Sequence, residues 1–528
     1  MPVINIREID NITPGVSSLD DYVVFVPGNA NKSDFSDFDK PLLFTSLKDF
    51  EETIGTTPVE YTIDVNYDTT PYVVDGKVVD PGYLSAKLLL EKGLYVLYKV
   101  PATLTRGANP EVISNDVVTD NEIDVEGATA IQTIITLANG GDPDATASGG
   151  VYTYDEVTFI EDIDGVTYET INGTSYASAI FKNADGTSQV AFESVTAEDV
   201  ATYISTGSFT YNSQEMTKLY ATVTTYVERY TTTKSAINTY GNFVAAITKS
   251  SFYLDLDDRG LYNLSFVTNG GYETLSNDMS TPVPASIQAI KTLAETRGDC
   301  VALIDHKWNA SKAELLPIAQ RVVTKYGAMF TPWCKYAIDT YNVTLPASIA
   351  YLDAFGTGIK DNPLWYAMAG SQRGYISGTP IANYGEAFAN TLSRDIGVSI
   401  NPITTINPYG IIIWGNRTLY GNPTGLKASS FLSIRHLCDQ IKKQLYISAK
   451  GSMFEQNTDR LWFNFKSQLV TLLDNVQSGE GIEAYKIFKL TPDTKAQIKA
   501  LIRIVPTYPV EKFDLTLELS DTLVDITE

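Results

Sequence analysis

The sequence predicts a multidomain α/β protein in which both ends of the chain form a mixed α/β core around an inserted, mainly β domain. Its 528 residues, 44% hydrophobic and 19% charged, suffice for two to four globular domains. Helical and strand-like patterns alternate towards both ends, whereas the middle consists of short runs rich in Thr, Tyr, Asp and Gly. The two termini have the alternation of extended strands, which predicts terminal arms.

The first part of the core is predicted at residues 21–106, after an extended N-terminal arm at residues 1–20. Its expected elements are a strand at Tyr22–Val26, helices at Ser46–Ile54 and Pro81–Glu91, and a strand at Leu94–Val100. A helix followed directly by an apolar strand is typical of α/β layers.

The predicted insertion covers residues 107–284 and holds most of the acidic excess. Between Gly107 and Ile290 there are 25 acidic and 6 basic side chains, a net charge of 6 − 25 = −19 out of −24 for the whole chain. The runs VYTYDEVTFI and GVTYETING alternate in polarity between Gly- and Asp-rich turns, which predicts antiparallel strands. We expect an acidic outer domain that disfavours nucleic acid and anionic membranes as partners.

The α/β pattern returns in the second part of the core, predicted at residues 285–505. Its first expected elements are a helix at Ile287–Arg297, a strand at Val301–Ile304, a helix at Lys312–Tyr326 and a strand at Ala328–Phe330. This order is that of a βαβ unit, and its strands are apolar enough to be buried on both faces.

Both chain ends are predicted to be extended. The N-terminal arm contains a β-type segment at Val3–Ile9, with Val3, Ile4 and Ile6 as its apolar residues. In the C-terminal arm, residues 506–528, four apolar residues alternate with polar ones: Phe513, Leu515, Leu517 and Leu519. A strand with one apolar face must pair with a sheet, either the chain's own or that of a neighbouring subunit.

The residues that could carry catalysis or bind a metal do not form a recognisable site. Cys300, Asp305 and His306 could form a nucleophile site, but a strand-end histidine with a local hydrogen bond is the favoured interpretation. The carboxylates of EDIDG (161–165) and DLDDR (255–259) lack the spacing of an EF-hand, so solvated turns are favoured over calcium sites. We therefore predict no catalytic, metal-binding or cofactor-binding residues and no enzymatic activity.

Cysteine usage and the chain start indicate the compartment. Cys300, Cys334 and Cys438 are odd in number and far apart, which predicts free thiols in a reducing environment. The start MPVINIREID has no signal-peptide pattern, and no apolar run is long enough for a membrane span. The expectation is a protein made in the cytoplasm without membrane insertion.

A predicted helix at Ser430–Ala449 lies in the most basic part of the chain. From Arg417 to Lys450 there are six basic residues and one acidic residue. We predict an acidic partner surface for five of the basic residues: Lys427, Arg435, Lys442, Lys443 and Lys450. The alternative is a solvated helix face that balances the acidic groups of the fold itself.

The stretch GIIIWGNRTL, followed by FLSIRHL, resembles the signature of contractile phage tail sheath proteins. There, a strand ending in Trp-Gly-x-Arg-Thr-Leu precedes a helix beginning Phe-x-Ser-Val-Arg-Arg-Leu. Further similar segments occur in the family's order: FVPGNANKSD, LLFTSLKDFEETIG, GYLSAKLLLEKGLYVLYKV, LWYAMAG and LIRIVPTYPVEKF. The chain departs from the pattern at Gly93, which stands for a Gly-Gly pair, and at His436, which replaces a basic residue.

The resemblance implies a structural protein that forms the contractile sheath of a phage tail. Such proteins polymerise as stacked, commonly hexameric rings around a tail tube, between baseplate and tail terminator proteins, and contract without nucleotide to drive the tube through the host envelope. Terminal arms exchange strands between subunits, and the helix near residues 427–450 faces the tube. The implied location is the virion, with assembly in the host cytoplasm. Trp414, Gly415, Arg417 and Thr418 would form a core strand end and the turn into the helix.

Three alternatives remain at this point. The motifs do not separate a phage sheath from the sheath of a phage-derived bacteriocin or of a secretion system, although the length of the single chain and the phage-like order of the motifs favour the phage. An adhesin or other binding protein would use the Tyr- and Thr-rich insertion for ligand specificity, and it would be a stable monomer. An enzyme with an α/β core would need a set of catalytic residues that the sequence does not contain.

Overall fold

The computed structural model describes residues 22–106, 111–123, 125, 128–129, 146–148, 151–153, 157–161, 166–191, 194–394, 399–420, 427–492 and 494–511. The apolar residues predicted for the two arms, from Val3 to Ile6 and from Phe513 to Leu519, lie outside this part of the chain. Two compact units are present: a core unit, formed by Met1–Ala102 and Ala236–Glu528, and an inserted unit, Thr103–Ser235. Helices and sheets both contribute, as expected for a mixed α/β protein.

The first part of the core unit begins with a buried strand and ends with another. Its elements are β1 (Val23–Pro27), β2 (Pro41–Phe44), α1 (Leu47–Ile54), β3 (Glu60–Tyr61), a 3-10 turn (Thr70–Tyr72), β4 (Val73–Val74), β5 (Lys77–Val79), α2 (Pro81–Glu91) and β6 (Tyr95–Lys99). Ser46 caps α1 by accepting the N–H of Asp49, and Asp80 caps α2 by accepting that of Gly82. The predicted strands and helices of this segment therefore occur within one residue of their expected bounds.

The inserted unit is dominated by long antiparallel strands. Its elements are β7 (Thr103–Arg106), β8 (Glu111–Ile123), β9 (Thr146–Ser148), β10 (Val151–Thr153), β11 (Val157–Glu161), β12 (Val166–Lys182), β13 (Gln189–Ala191), α3 (Ala197–Thr206), β14 (Phe209–Tyr211), β15 (Gln214–Met216) and β16 (Lys218–Ser235). β12 pairs with β16, and β8 pairs with the other edge of β16. Phe181 is fully buried, and its ring contacts Phe209 and Tyr203 edge to face.

The second part of the core unit runs to the end of the described chain. Its elements are α4 (Tyr240–Ile247), a 3-10 helix (Ser250–Asp257), β17 (Leu264–Thr268), α5 (Ala285–Arg297), β18 (Val301–Leu303), α6 (Lys312–Gln320), β19 (Gly327–Ala328), β20 (Phe330–Thr331), β21 (Cys334–Ile338), β22 (Tyr341–Leu345), α7 (Ala347–Gly358), α8 (Gly370–Arg373), β23 (Thr379–Pro380), α9 (Glu386–Arg394), β24 (Asn401–Ile406), β25 (Gly410–Ile413), a 3-10 turn (Ala428–Ser430), α10 (Leu432–Gly451), α11 (Asp459–Ser478), β26 (Ile482–Leu490) and β27 (Lys499–Pro506).

The main sheet of the core unit has the strand order β19-β18-β17-β1-β6-β2. All neighbouring pairs are parallel except β2 with β6. Every residue of β1 is buried, because α2 packs against β1 and β6 while α5 packs against β17 and β18. A parallel sheet covered in this way requires continuous apolar strands such as VVFVP.

The insertion is shorter than predicted. The inserted unit ends at Ser235, so the predicted range 107–284 wrongly includes α4 and β17. β17 lies between β1 and β18 in the main sheet, and its segment LSFVT is apolar as burial on both faces requires. The Tyr- and Asp-rich composition of the flanking residues concealed this boundary.

The helix predicted at Lys312–Tyr326 ends early, at Gln320. The backbone N–H of Thr324 donates to the carbonyl of Leu419 at 2.9 Å and is therefore not available for a helical bond. The β-branched pair Val322 and Val323 also lowers helix propensity at this point.

Candidate functional site

The WGNRT turn after β25 is closed by one buried asparagine. The side chain of Asn401 accepts the N–H of Arg417 at 2.7 Å and donates to the carbonyl of the same residue at 2.8 Å. A Cβ atom at Gly415 would lie 2.8 Å from the side-chain oxygen of Asn401, so only glycine fits there. Trp414, at the strand end, donates its indole N–H to Asn390 at 2.9 Å.

The residue between Gly415 and Arg417 caps the following helix. α10 starts at Leu432 after Phe431, which has no side chain that could cap it. Asn416 supplies the cap instead: its side-chain oxygen accepts the N–H of Ser433 at 3.0 Å, and its carbonyl accepts that of Leu432 at 3.0 Å. Free N–H groups at a helix start need such acceptors. Sequence patterns do not reveal Asn416 as the cap, because it lies far from the helix in sequence.

Arg417 and Thr418 complete the junction between strand and helix. The Arg417 guanidinium lies 4.2 Å from the centroid of the Phe431 ring and forms an ion pair with Glu511. Thr418 donates its N–H to Ser430 at 3.0 Å and its hydroxyl to the carbonyl of Ser429 at 2.8 Å. Both side chains are almost fully buried, so they hold the turn against the helix start.

The five basic residues predicted to face a partner do not lie on one surface. Lys427 and Lys450 are exposed, and Lys442 is partly exposed. Arg435 and Lys443 are buried, with exposed fractions of 7% and 9%. For these two residues the prediction of a partner contact is wrong.

The burial of Arg435 and Lys443 follows from the position of α10. Residues 435, 439 and 443 form one helical row, which faces the interior together with the apolar stripe. Arg435 pairs with Asp439 at 2.5 Å, and the ammonium of Lys443 donates to the hydroxyl of Ser265 in β17 at 3.1 Å. In a sequence, buried charged residues at this spacing cannot be distinguished from those of a solvated helix face. For this reason the sequence pattern wrongly predicts a partner contact for Arg435 and Lys443.

Burial shifts the pKa values of the polar groups on this row. It raises the pKa of Asp439 to about 6, against the opposing charge of Arg435, and lowers the pKa of Lys443 to about 8. Burial also lowers the pKa of His436 to about 3, and its Nε2 lies 2.8 Å from the hydroxyl of Tyr351. His436 is therefore neutral near pH 7. The sheath pattern has a basic residue at this position.

Two residues of the possible nucleophile site, Asp305 and His306, make hydrogen bonds with residues outside it. The carboxylate of Asp305 accepts the N–H and the hydroxyl of Ser348, at 3.1 and 2.6 Å. His306 places its Nδ1 2.7 Å from the carbonyl of Lys307. Burial raises the pKa of Cys300 to about 12, which keeps it a thiol. These contacts are those of the favoured interpretation, a strand-end histidine with a local hydrogen bond.

Within the described residues, the carboxylate clusters form no metal site and no helix is suited to span a membrane. In DLDDR, Asp255 pairs with Lys99 at 2.9 Å and Asp258 accepts the N–H of Gly260, as in a turn. Most of EDIDG lies outside the described residues. Among those described, no group of three or more His, Cys, Asp or Glu side chains is placed to hold a metal ion. None of the helices described is both long and apolar enough to cross a membrane.

The last described residues of the chain lie beside the WGNRT turn. Glu511, the last described residue, pairs with Arg417, and the ring of Tyr508 contacts that of Phe431 edge to face at 5.4 Å. Just before it, β26 and β27 form an antiparallel hairpin. In the part of the chain that the structure describes, this hairpin pairs with no further strand.

The LWYAMAG segment packs against the base of this hairpin. Trp365 donates its indole N–H to the carbonyl of Gly479 at 2.6 Å, and Tyr366 donates its hydroxyl to Glu480 at 3.1 Å. A Cβ atom at Gly481 would lie 2.9 Å from the Trp365 ring. Three of the similar segments, LWYAMAG, GIIIWGNRTL and LIRIVPTYPVEKF, thus line one cavity of about 960 Å³.

Comparison with known proteins shows that the chain is similar to tail sheath proteins. Over 162 residues it is 28% identical to the tail sheath protein of Vibrio phage KVP40. The resemblance found in the motifs is thereby confirmed. The match covers 29% of this chain and 23% of that protein, so it spans less than a quarter of the relative's length. No family model matches the chain.

Solved sheath structures share a partial likeness with the chain. The sheath complex of an extracellular contractile injection system, PVC, in its contracted state has a TM-score of 0.47 and 12% identity, covering 99% of this chain and 98% of that one. The sheath tail protein from Desulfitobacterium hafniense has a TM-score of 0.42 and 11% identity, covering 96% and 100%.

Proposed function

We propose that this protein is the sheath subunit of a contractile phage tail. It polymerises as stacked rings, hexameric in the simplest arrangement, around an inner tail tube. On contraction the sheath drives the tube through the host cell envelope. The observation that carries this proposal is the sequence identity to the tail sheath protein of Vibrio phage KVP40. The WGNRT turn and the start of α10 carry the most specific sheath motif. Their tight packing against each other supports the proposal.

Strand exchange between subunits provides the links of the polymer. The hairpin β26–β27 offers outer edges whose backbone groups can accept an added strand. The alternating residues Phe513 to Leu519 follow shortly after β27 in sequence and are the right type of strand to add to the hairpin of a neighbour. Backbone hydrogen bonds of this kind persist while subunits rotate, so the polymer stays connected during contraction.

The further partners follow from the same function. They are the tail tube, the baseplate and the tail terminator proteins; neither nucleic acid nor a membrane is bound. Of the basic residues near α10, Lys427 and Lys450 have the exposure needed to reach an acidic tube surface. The protein works as part of the virion after assembly in the host cytoplasm. It acts mechanically, without catalysis or a cofactor, because the energy is stored in the extended polymer.

Electron microscopy of the purified protein with its tube protein tests this function. We expect striated tubes from the full chain and none from a chain truncated after Lys512. Leu517→Asp should also block polymerisation and leave a soluble subunit, because it places a charge on the apolar face of the added strand. Leu517→Ile is the matched control and should polymerise. A full chain that stays monodisperse with its tube present contradicts the proposal and favours a binding function of the inserted unit.

A further inference from the structure

The hairpin β26–β27 has two different faces. Its strands pair residue by residue, so successive side chains alternate between the faces. One face packs against the apolar cluster of α10 and α11 through Tyr485, Ile487, Ile502 and Ile504. The opposite, outward face is turned away from these two helices. It consists of Ala484, Lys486, Phe488 and Leu490 in β26 and of Lys499, Leu501, Arg503 and Val505 in β27.

This outward face is both apolar and basic. Leu490 and Leu501 are each 37% exposed, and Val505 is 48% exposed. An exposed apolar patch bordered by charged groups is typical of a surface that binds another protein. Of the eight residues on the face none is acidic, and three are basic: Lys486, Lys499 and Arg503.

Two of these cations face each other across the hairpin. Lys486 is directly opposite Arg503, and both lie over the ring of Phe488, at 5.2 and 5.3 Å from its centroid. Like charges at opposing positions of an antiparallel pair destabilise the pair. A carboxylate placed between the two cations would offset this repulsion. The outward face therefore fits a partner that presents apolar side chains together with a carboxylate.

The core unit carries such a surface in the loop 62–68, which follows β3. The loop reads TIDVNYD, with two carboxylates and no basic residue. Ile63 and Val65 are 53% and 95% exposed, which is unusual for apolar side chains. Asp64, between them, accepts two hydrogen bonds from Asn66, at 3.0 and 2.9 Å. This donor is uncharged, so it does not offset the charge of the carboxylate.

We infer that the outward face of the hairpin binds the loop 62–68 of a second copy of this chain. The two exposed apolar side chains of the loop pack beside Phe488, and Asp64 lies between Lys486 and Arg503. Both surfaces are exposed within one core unit, so the contact forms between copies.

The contact joins two different patches, so each copy binds one neighbour through its hairpin and another through its loop. Heterologous contacts of this kind build rings or open polymers. The contact uses the face of the hairpin, whereas strand exchange uses its edges. It is therefore a second link between subunits, which goes beyond the proposed function and forms independently of the terminal arms.

Cross-linking between differently labelled copies tests the inference. An equal mixture of unlabelled and isotope-labelled full chain is treated with a carbodiimide, which joins a lysine ammonium to a carboxylate in contact with it. We expect mass spectrometry to detect peptide pairs that join Lys486 of one copy to Asp64 of a differently labelled copy. Pairs found only within copies of the same label overturn the inference.

Charge exchange tests the complementarity of the two surfaces. Arg503→Glu should lower the yield of these mixed pairs about tenfold, because it places a carboxylate against Asp64. Ile63→Lys should lower it as well, because it brings a third cation to the hairpin face. A chain with both substitutions should recover most of the yield. Lys335→Glu, an equal charge change at an exposed residue of β21, is the matched control and should leave the yield unchanged.

Electron microscopy of the same samples separates this contact from the sheath function. Mixed pairs without striated tubes support the contact and count against the sheath. Striated tubes without mixed pairs overturn the contact and leave the sheath function standing. If Lys486 is instead linked to carboxylates of added tube protein, the tube occupies the hairpin face and the inference is overturned.

Discussion

Asn416 accepts the backbone N–H of Ser433 at 3.0 Å and so caps a helix to which it does not belong. Its amide also donates to the hydroxyl of Ser433 at 2.9 Å. The start of α10 is thereby fixed to the end of β25, and the turn and the helix form one rigid junction. In the motif Trp-Gly-x-Arg-Thr-Leu, the position between Gly and Arg is variable. In this chain that position is Asn416, which has a structural role.

Removing this cap should destabilise the core unit. We expect Asn416→Ala to lower its free energy of unfolding by about 1–2 kcal/mol, because the helix start loses its acceptor. The urea midpoint of the core unit's transition, followed by tryptophan fluorescence, measures the loss. Asn475→Ala, at an exposed position within α11, is the matched control and should change stability by less than about 0.5 kcal/mol. Equal midpoints for the two variants would contradict the capping role.

A methyl group at Gly415 should be more damaging than one at an open glycine. Gly415→Ala places its Cβ against Asn401, which must move and release Arg417; we expect a loss of about 1–3 kcal/mol. Gly385 has no atom within 4 Å of an added Cβ, so Gly385→Ala should be nearly neutral. Thermal unfolding of both variants under identical conditions provides the measurement. A neutral Gly415→Ala would show that the turn tolerates a wider spacing from Asn401.

The buried basic residues should respond to charge reversal by unfolding. Lys443→Glu leaves a buried negative charge beside Asp439 and should destabilise the core unit by about 3–5 kcal/mol. Lys427→Glu, at an exposed position, should leave stability within about 0.5 kcal/mol. Circular dichroism during heating distinguishes the two. If Lys443→Glu folds normally and fails only in assembly, the side chain reaches the surface after all.

Asp305 should give the chain a defined pH dependence. Burial raises the pKa of this carboxyl to about 7 in the folded state, whereas an unfolded Asp titrates near 4. The folded state therefore binds a proton that the unfolded state releases, so the contribution of Asp305 to stability falls as the pH rises through this window. Asp305→Asn removes this bound proton. As the pH rises from 5 to 7.5, the free energy of unfolding of the variant should therefore increase relative to that of the unmodified chain.

Urea unfolding at both pH values measures that difference. The gain should not exceed about 1.4 kcal/mol per pH unit. Asp361→Asn, at an exposed position, is the matched control and should keep a constant offset from the unmodified chain. A constant offset for Asp305→Asn as well would mean that Asp305 is ionised in the folded protein throughout this range.

Local patterns were sufficient to predict the elements but not the contacts between them. The helix Pro81–Glu91 could be predicted because Asp80 and Pro81 mark its start and its residues fit one helical pattern. β17 was missed as a core strand because its partners, β1 and β18, lie far away in sequence. The end of α6 was misplaced for the same reason, since the bond from Thr324 to Leu419 is long-range.

The candidate site shows the same limit. The sequence predicted a core strand that ends in a turn at Arg417 and Thr418, but neither Asn401 nor Asn416 could be recognised as the residues that close this turn. Arg435 and Lys443 have the spacing of a polar helix face, and only tertiary packing shows that this face is internal. Charge patterns on a helix indicate exposure only when nothing else packs against it.

The contacts of Tyr508 and Glu511 determine which part of the fold bears a force applied to the C-terminal segment. Glu511 pairs with Arg417, and Tyr508 contacts Phe431, so a pull on the residues beyond loads the strand–helix junction before it reaches β27. At the hairpin, Pro506 pairs with Ile482, the first residue of β26, so a pull that passed the junction would open the backbone bonds one at a time from this end. The ion pair and the ring contact therefore bear such a force ahead of the hairpin.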